Sequence, residues 1–503
     1  MKRTALIFAF ATPLILSASG NDSILSRMDS HSDGLRVFIS DTWQNPALKY
    51  FSQDVPFSTL SVDYTRRNDS ENITPEDGDG LHSTGFSAES FIPAGNNSVV
   101  WGNAGYSTGT TRNVQWCESA DAELIYPYFS ADEAGGDLKD EYYRFSGGYA
   151  GRNEKLVWGA TIGYSAAHHF RDVDPRPRNI TGKLTLSGGV AYALSTNYLA
   201  GASLNWMKYK QSNEIKFVSE THDLPIYQLT GLGTHYNRFA GASKSSDFSG
   251  NRFGATVNLY PLHSGVMVNF SVSRFSFDKT LRDLNKLPIA SAWHNALTVN
   301  AGYKHISGIV TYSVTGQFDA YRRHGSENIF GDAVSGSYPQ IGSLEMYADN
   351  YYRALLQGFA SIRHNNQTYS MTLRSGYSHR KQFYAEPEQW ALVEGFENMA
   401  DFGVRSFLGQ HWYGIADLSF AIFSPTEKDI NLQPSTSPET LTGSVETGFR
   451  HSTVTRCATS VSLTAARSIS EKYAIGIGGS ATLTNYSGTA HSNLYNISIN
   501  FYF

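Results

Sequence analysis

The last ten residues of the chain alternate in character and end on an aromatic side chain. Tyr495, Ile497, Ile499, Phe501 and Phe503 share one parity, and Asn496, Ser498 and Asn500 lie between them. Because successive side chains of a β-strand point to opposite faces, this segment predicts a strand with one apolar face and one polar face. The rest of the fold must therefore provide an apolar environment for one side of its final strand.

The N-terminus has the three-part layout of a secretory signal. Met1-Lys2-Arg3 is basic, an apolar run extends from Ala5 to Leu16, and small residues follow from Ser17 to Gly20. The run is too short, and wrongly flanked, for a spanning helix. We therefore predict that residues 1–20 are a cleaved signal peptide and that the mature chain is exported.

Segments of period two recur from about residue 58 to the end, for example 310–320 and 369–378. The connections between them alternate in length. Short turns are predicted at eight places, near Gly95, Gly151, Ser195, Pro261, Ser307, His364, Gly409 and Ser468. The longest polar connections are predicted at about 113–140, 218–245, 325–349 and 428–447. Short turns alternating with longer loops are typical of outer-membrane β-barrels.

These patterns predict an all-β fold, a transmembrane antiparallel β-barrel of the outer-membrane type with short periplasmic turns and long outer loops. We count about 18 strands, with about 14 to 18 compatible with the pattern. Residues 58–503 are assigned to the barrel and residues 21–57 to an N-terminal periplasmic or lumenal hatch segment. Between Val272 and Phe275 the apolar parity switches, which predicts either a β-bulge or emergence above the membrane.

The composition agrees with a location in the cell outer membrane. Aromatic residues make up 13% of the chain, and the formal net charge of −5 gives no indication of nucleic-acid binding. The expected partners are outer-membrane lipid and an unknown solute. The chain has two cysteines, Cys117 and Cys457. The predicted topology places them far apart around the barrel, and whether they pair is left open.

The C-terminal pattern resembles the closing strand of bacterial outer-membrane barrels, whose terminal aromatic residue is read by the outer-membrane insertion machinery. Together with the signal, the length and Asn45-Pro46-Ala47, it resembles uncharacterised outer-membrane barrel proteins of Bacteroidetes. Asn45-Pro46-Ala47 is also similar to an Asn-Pro-Ala-Gly segment of FadL-type channels. That resemblance implies an N-terminal hatch and a hydrophobic cargo. Here Leu48 replaces the glycine, and the predicted strand count exceeds that of the family.

Two motifs suggest chemistry, and neither predicts an enzyme. Gly105-Tyr-Ser-Thr-Gly109 matches the nucleophile-elbow pattern, but it lies within an alternating strand with no helix after it. His168 and His169 are adjacent on a predicted strand, so they point to opposite faces and cannot share one metal ion without a bend. We expect no catalytic residues, no metal and no cofactor.

Charged residues on the polar parity of the predicted strands are candidates for the lumen. They are Lys183, Asp319, Arg323, Arg374, Arg380, Asp417, Arg450 and Arg456. In a water-filled barrel such groups would set ion selectivity; in a closed one they would hold a plug. The leading hypothesis is a porin-like channel for small solutes. The alternatives are a FadL-like transporter with its hatch at Asn45, Pro46 and Ala47, and a non-transporting scaffold that binds a ligand or an envelope protein.

Overall fold

Long antiparallel strands make up most of the computed structural model, which describes residues 23–218, 224–241, 243–334, 336–433, 438–488 and 490–503. The predicted signal peptide lies outside this part of the chain. The strands are β1 (Phe57–Asp69), β2 (Gly80–Pro93), β3 (Ser98–Val114), β4 (Ser130–Ala131), β5 (Gly136–Asn153), β6 (Leu156–Phe170), β7 (Arg176–Ala193), β8 (Tyr198–Lys216), β9 (Tyr227–Gly231), β10 (Thr234–His235), β11 (Ser245–Pro261), β12 (Gly265–Leu281), β13 (Leu287–Ile306), β14 (Val310–Phe330), β15 (Gln340–His364), β16 (Gln367–Tyr384), β17 (Gln389–Leu408), β18 (Trp412–Asn431), β19 (Arg456–Ser468), β20 (Ala474–Tyr486) and β21 (Ala490–Tyr502).

Helices occur only outside the strand wall in the described part of the chain. The α-helices are α1 (Ile24–His31), α2 (Gly34–Phe38), α3 (Ala122–Ile125) and α4 (Glu439–Ser452), and short 3₁₀ turns occupy Ser40–Gln44, Leu48–Phe51, Pro75–Asp77, Asn237–Phe239 and Arg282–Leu284. Among the residues described, no helix is both long enough and apolar enough to cross a membrane.

Eighteen of the strands form one closed antiparallel sheet, and β4, β9 and β10 form a separate small sheet. Closure is made by the last strand, β21, which pairs with β1. Ser58 and Phe503 exchange two backbone hydrogen bonds, of 2.9 and 3.0 Å. A closed sheet has no free edge, which is what a β structure in lipid requires, because no water is present to satisfy unpaired peptide groups. The prediction of an 18-stranded barrel of the outer-membrane type is confirmed.

The outer face of the wall is apolar and the inner face is polar through most of its height. Val62, Leu373 and Ile497 point outward and are 51%, 48% and 60% exposed, respectively. Their neighbours in sequence point into the barrel, in accordance with the period of two. This alternation is what a strand needs when one side faces lipid and the other faces a lumen.

The eight predicted short turns all lie between paired strands, for example Pro261 to Gly265 between β11 and β12. The outer connections differ more from the predictions. β14 runs to Phe330 and β15 starts at Gln340, so the predicted 325–349 connection is mostly strand. With 25 residues, β15 is much longer than the about 9–11 residues that a tilted strand needs to cross a bilayer. These strands therefore extend well beyond the membrane.

Of the two predicted explanations for the parity switch after Val272, a β-bulge or emergence above the membrane, the bulge is absent. Strand β12 keeps one register with β11 over its whole paired length, and its register with β13 shifts only between Lys279 and Thr280. Phe275 and Phe277 simply face inward, where they are 0% and 2% exposed. The apolar parity switches because this part of the lumen is filled by other segments of the chain, so the interior face becomes apolar there.

Two pieces of the chain fill the two ends of the barrel. The first, residues 23–56, lies among the periplasmic ends of the strands; we call it the hatch. The second comprises residues 115–135, 224–241 and 438–455 at the outer end; we call it the outer cover. Trp116, Phe129 and Phe239 of the outer cover belong to one buried apolar cluster with Phe275 and Phe277 of the wall. The hatch has separate apolar contacts, including those of Leu48 with the wall.

Candidate functional site

The hatch is bound to one side of the barrel by charged and polar groups. Asp29 forms an ion pair with Arg363 of β15 and accepts a hydrogen bond from the Tyr413 hydroxyl of β18 at 2.9 Å. The guanidinium of Arg405 on β17 donates to the carbonyl oxygen of Ser32 at 2.7 Å. These contacts hold α1 against β15, β17 and β18.

Asn45, Pro46 and Ala47 lie against the opposite side of the wall. Asn45 is fully buried; its Nδ2 donates to Asn258 Oδ1 at 3.1 Å and its Oδ1 accepts from the Ala47 N–H at 3.0 Å. This tripeptide is therefore positioned by its own side-chain cap as well as by the wall.

Glycines on the facing strands let the hatch approach this closely. A Cβ atom added to Gly189 of β7 would lie 2.1 Å from Asn45 Oδ1, and one added to Gly159 of β6 would lie 2.6 Å from the Pro46 carbonyl oxygen. Such distances are impossible without displacement of the hatch. Gly188, next to Gly189 on the outer face, would meet nothing within 4 Å. The interior glycines thus form a seat for the hatch.

Between the hatch and the outer cover, the wall carries paired charges. Asp319 of β14 binds Arg353 of β15 at 2.8 Å, and Arg353 lies 3.9 Å from Glu397 of β17. Arg374 of β16 lies 3.6 Å from Asp401 of β17. These side chains are neither buried nor fully exposed, as expected for groups that face water inside a barrel. We call this central region the chamber.

Other predicted lumen charges bind the two end pieces. Lys183 contacts Asp121 of the outer cover at 2.7 Å. Arg323 donates at 3.0 Å to the carbonyl oxygens of Tyr126 and Glu123, also in the outer cover. Asp417 lies 3.8 Å from Arg405, which donates a hydrogen bond to the hatch.

Of the remaining predicted lumen charges, Arg380 is paired within the wall, with Asp349 at 2.8 Å. Arg456 is the first residue of β19, and its guanidinium lies 4.6 Å from the centre of the Phe423 ring. The strand position predicted for Arg450 is wrong. Arg450 lies in α4, 3.5 Å from Glu71, because residues 439–452 form a helix in which Leu441, Ser444 and His451 are buried.

A buried ionic cluster fastens the outer cover, and sequence reasoning missed it. Arg171 lies 2.6 Å from Glu118 and 3.4 Å from Asp132, and the three side chains are almost completely buried. Burial, followed by the neighbouring Asp132, holds the pKa of Glu118 well above its ordinary value. The Glu118 carbonyl also accepts hydrogen bonds from Asn179 and Asn213 at 2.8 and 2.6 Å. Three sequence-distant segments contribute to this cluster, so no local motif indicates it.

A cavity of about 510 Å³ lies between the hatch and the inner faces of β1, β2, β3, β6 and β7. The hatch contributes Arg36, Trp43 and Lys49 to its lining, and the wall contributes Glu89 and Trp101. Sequence analysis found an ordered segment here but did not single out these side chains. Their one local signal is the presence of Trp43 with the cations Arg36 and Lys49 in a region where a simple tail would be expected.

The other sequence motifs are dispersed. Ser107 lies in the middle of β3 with no helix after it, and His168 and His169 occupy successive positions of β6. Across the described ranges, no group of three or more His, Cys, Asp or Glu residues is placed to hold a metal ion. Cys117 is buried in the outer cover and Cys457 is exposed on β19, and both thiols are free.

Four of the five residues of the predicted C-terminal insertion signal lie on the closing strand β21, and Phe503 directly follows it. Tyr495, Ile497 and Ile499 point outward and are 42%, 60% and 56% exposed. Phe501 and Phe503 share their parity and contact one another, with ring centres 5.8 Å apart. Recognition of this strand by the insertion machinery stays a prediction.

Comparison with solved structures returns barrels of outer-membrane proteins. The siderophore receptor PiuA from Acinetobacter baumannii matches with 7% identity and a TM-score of 0.43, over 90% of this chain and 82% of that chain. The ferric-catecholate import receptor Fiu from E. coli K12, in its open form, matches with 9% identity and a TM-score of 0.37, over 88% and 81%. The CymD monoaromatic hydrocarbon channel matches with 12% identity and a TM-score of 0.31, over 92% of both chains.

No curated protein matches the sequence. A family model does match, over residues 46–503, from the middle of the hatch to the last residue of the chain. The chain therefore belongs to this family, described as a family of unknown function (DUF6850).

Proposed function

We propose that this barrel is a gated passage for small polar solutes across the outer membrane. The hatch is the periplasmic gate, and the outer cover is the external one. The observation that carries the proposal is the contrast between the middle of the lumen and its ends. The middle is lined by half-exposed charges, whereas each end is occupied by a segment that is not part of the wall.

The chamber favours a polar cargo over the hydrophobic cargo of a FadL-like transporter. Asp319, Arg353, Glu397, Arg374 and Asp401 form successive ion pairs around one side of the chamber. Such a surface stays hydrated. An apolar molecule that bound there would displace water from the charges without replacing the lost hydrogen bonds, so its binding would be unfavourable. Because the charges are mutually paired, they are also weaker determinants of ion selectivity than a ring of one sign would be.

The way the hatch is attached is compatible with gating. Its contacts with the wall include several exchangeable polar bonds, such as those of Asp29, Ser32 and Asn45. Each such bond contributes about 0.5–3 kcal/mol, depending on charge, and water can replace it. The seat at Gly159 and Gly189 belongs to the rigid wall, so the hatch can leave without rearrangement of the barrel.

A second candidate function is a ligand-binding or partner-binding scaffold without transport. One observation favours it: the outer cover is packed like a protein core, with Ile125, Phe129 and Phe239 no more than 2% exposed. A rigid cover of this kind would present a fixed surface to the exterior. In both candidates the expected partners are membrane lipid and the insertion machinery, and neither requires covalent chemistry or a cofactor.

Deletion of residues 23–52 distinguishes the two candidates. The mature chain and the deletion variant would be refolded into liposomes, and the influx of small neutral sugars would be followed by liposome swelling. Heat-modifiable gel mobility would establish that both proteins are folded. We expect the deletion to increase the influx of a monosaccharide much more than that of a large oligosaccharide. Two folded proteins with equally low influx would contradict a gated passage and favour the scaffold.

A further inference from the structure

The cavity beside the hatch contains more positive charge than its carboxylates neutralise. Arg36 and Lys49 line it from the hatch, and both are half-buried. Neither has a carboxylate oxygen within 4 Å among the side chains that the structure describes, although ion pairs are common elsewhere in this lumen. Glu89 is the carboxylate in the lining, and it contacts neither cation at ion-pair distance.

Arg36 is held in place by neutral groups. Its Nη1 lies 3.4 Å from the His31 carbonyl oxygen, which accepts from it. In the amide orientation that satisfies both partners, the Gln53 carbonyl oxygen accepts from Arg36 Nη2 at 2.6 Å. These contacts fix the guanidinium without neutralising it. The carboxylates of Asp33 and Glu89 act on Arg36 from beyond ion-pair distance. A fixed guanidinium with no carboxylate in direct contact among the described side chains is well suited to bind an oxyanion.

Lys49 is positioned by an aromatic ring. Its ammonium lies 5.1 Å from the centre of the Trp101 ring. This indole also lies against Gly148 of β5, where an added Cβ would come within 2.3 Å of ring carbons. Burial, and next the nearby Arg36, lower the pKa of Lys49, whereas Glu89 opposes this effect. A bound anion would relieve the repulsion between the two cations.

Neutral polar groups complete the lining. Asn103 of β3, Thr161 of β6 and Ser187 of β7 are part of the cavity wall, and Trp43 adds a second indole from the hatch. Amides and hydroxyls complement the hydroxyl groups of a solute, and an indole can cover the apolar face of a sugar ring. With a volume of about 510 Å³, the cavity has room for a molecule of monosaccharide to disaccharide size.

We propose that this cavity is a binding site for a small hydroxylated oxyanion, of the class of sugar phosphates and sugar acids, with Arg36 and Lys49 as the anion-binding groups. This proposal rests on the proposed function in one respect: if the barrel is a gated passage, the bound molecule is the transported solute. Because the hatch supplies both cations, a ligand would contact gate and wall at once. Its binding would therefore change the stability of the docked hatch.

Calorimetric titration of the refolded full-length mature chain in detergent tests this proposal without requiring transport. Glucose 6-phosphate is the probe, and glucose is its uncharged counterpart. We expect glucose 6-phosphate to bind and glucose to bind at least about tenfold more weakly, because glucose lacks the negative charge that Arg36 and Lys49 would hold by charge-assisted hydrogen bonds. Equal affinities for the two sugars, or binding of neither, would overturn the proposal.

Three variants assign the binding to the cavity. Arg36→Gln and Lys49→Gln should each weaken glucose 6-phosphate binding by about tenfold or more. Lys155→Gln removes an exposed lysine from a periplasmic turn and should leave the affinity unchanged. Lys49 contacts a ring rather than the hatch backbone, so its replacement should preserve the fold even where that of Arg36 does not. Unchanged binding by a folded Lys49→Gln variant would contradict the assigned site. If glucose 6-phosphate bound as expected but deletion of residues 23–52 did not increase sugar influx, the gated passage would be refuted and the binding site would still be supported.

Discussion

At the scale of single residues, Leu373 and Arg374 are neighbours on β16 with opposite surroundings. Leu373 is 48% exposed on the outer face, whereas Arg374 faces the chamber and pairs with Asp401 at 3.6 Å. The identity of each residue follows from the medium it meets. An interior arginine can keep its water, but an arginine on the outer face must enter lipid.

Replacement of these two residues should have very different effects. Leu373→Arg should cost about 2–4 kcal/mol near the bilayer centre, because the charge would be placed in hydrocarbon. Arg374→Ala should cost less than about 1 kcal/mol, because its partner remains hydrated. Urea titration of the barrels folded in lipid vesicles would measure both. Similar destabilisation by the two substitutions would contradict the orientation of β16.

The predicted lumen charges illustrate what alternation can and cannot reveal. Parity along a strand correctly indicates that Asp319 and Arg374 point inward, because side-chain direction in a strand is a local property. It does not indicate that Asp319 binds Arg353, or that Lys183 binds Asp121 of the outer cover, because these partners are set by pairing and loop packing. Strand parity does not apply to Arg450, because residues 439–452 form a helix. The pattern that indicates this helix is the spacing of its buried residues Leu441, Ser444 and His451.

At the scale of elements, Arg171 is a buried cation that fastens the outer cover. Arg171 is the positive partner of both Glu118 and Asp132 in a site closed to water. Arg171→Ala would leave two carboxyl groups buried without a cation, which should cost about 3–5 kcal/mol and loosen residues 115–135.

Cys117, 5% exposed within the same segment, can report this loosening. In a Cys457→Ser background, maleimide labelling of Cys117 should be slow in the parent protein and faster in Arg171→Ala. Arg178→Ala is the matched control, since Arg178 is exposed near the same end of the barrel. Equal labelling rates in all three proteins would show that Arg171 does not hold the outer cover.

The hatch should dock less firmly as the pH falls. Burial, and next Arg36, lower the pKa of His31 from 6.5 to about 4, while the contact with Gln53 acts in the opposite direction. A released hatch would restore the ordinary value, so release takes up a proton between pH 6.5 and about 4. The stabilisation from neutral His31 is therefore complete above pH 6.5 and is lost toward pH 4, about 3 kcal/mol over the full window.

Solute influx into liposomes at pH 7 and pH 4.5 tests this linkage. We expect greater influx at the lower pH for the parent protein and a weaker pH dependence for His31→Gln. His364→Gln, which replaces an exposed histidine in a periplasmic turn, should retain the parent profile. If His31→Gln also retained it, His31 would not be the group that links docking to pH.

At the scale of the whole molecule, the barrel wall and the existence of an N-terminal hatch segment were predictable from the sequence, whereas the outer cover was not. The wall follows from a local period, and its turns carry local signals such as Gly409 and Pro261. The outer cover joins residues near 120, 230 and 440, so its core depends on contacts that no single segment encodes. Phe275 and Phe277 face inward because they pack on that core, so the pattern along β12 alone could not distinguish this cause from a β-bulge or emergence above the membrane.

The central claim is that a wet chamber is closed by a removable hatch. The wall offers a direct way to displace the hatch without altering a charge. Gly189→Leu introduces a side chain where Asn45 Oδ1 would lie 2.1 Å from its Cβ. Gly188→Leu adds the same side chain to the lipid-facing side of the same strand, where nothing lies within 4 Å.

Single-channel conductance of these two variants and the parent in planar bilayers is the most direct test. We predict rare openings for the parent and for Gly188→Leu, and frequent, long openings for Gly189→Leu. Gel mobility would establish that all three barrels are folded. Folded Gly189→Leu that is as silent as the other two, or a parent protein that is already continuously open, would contradict a hatch-gated passage.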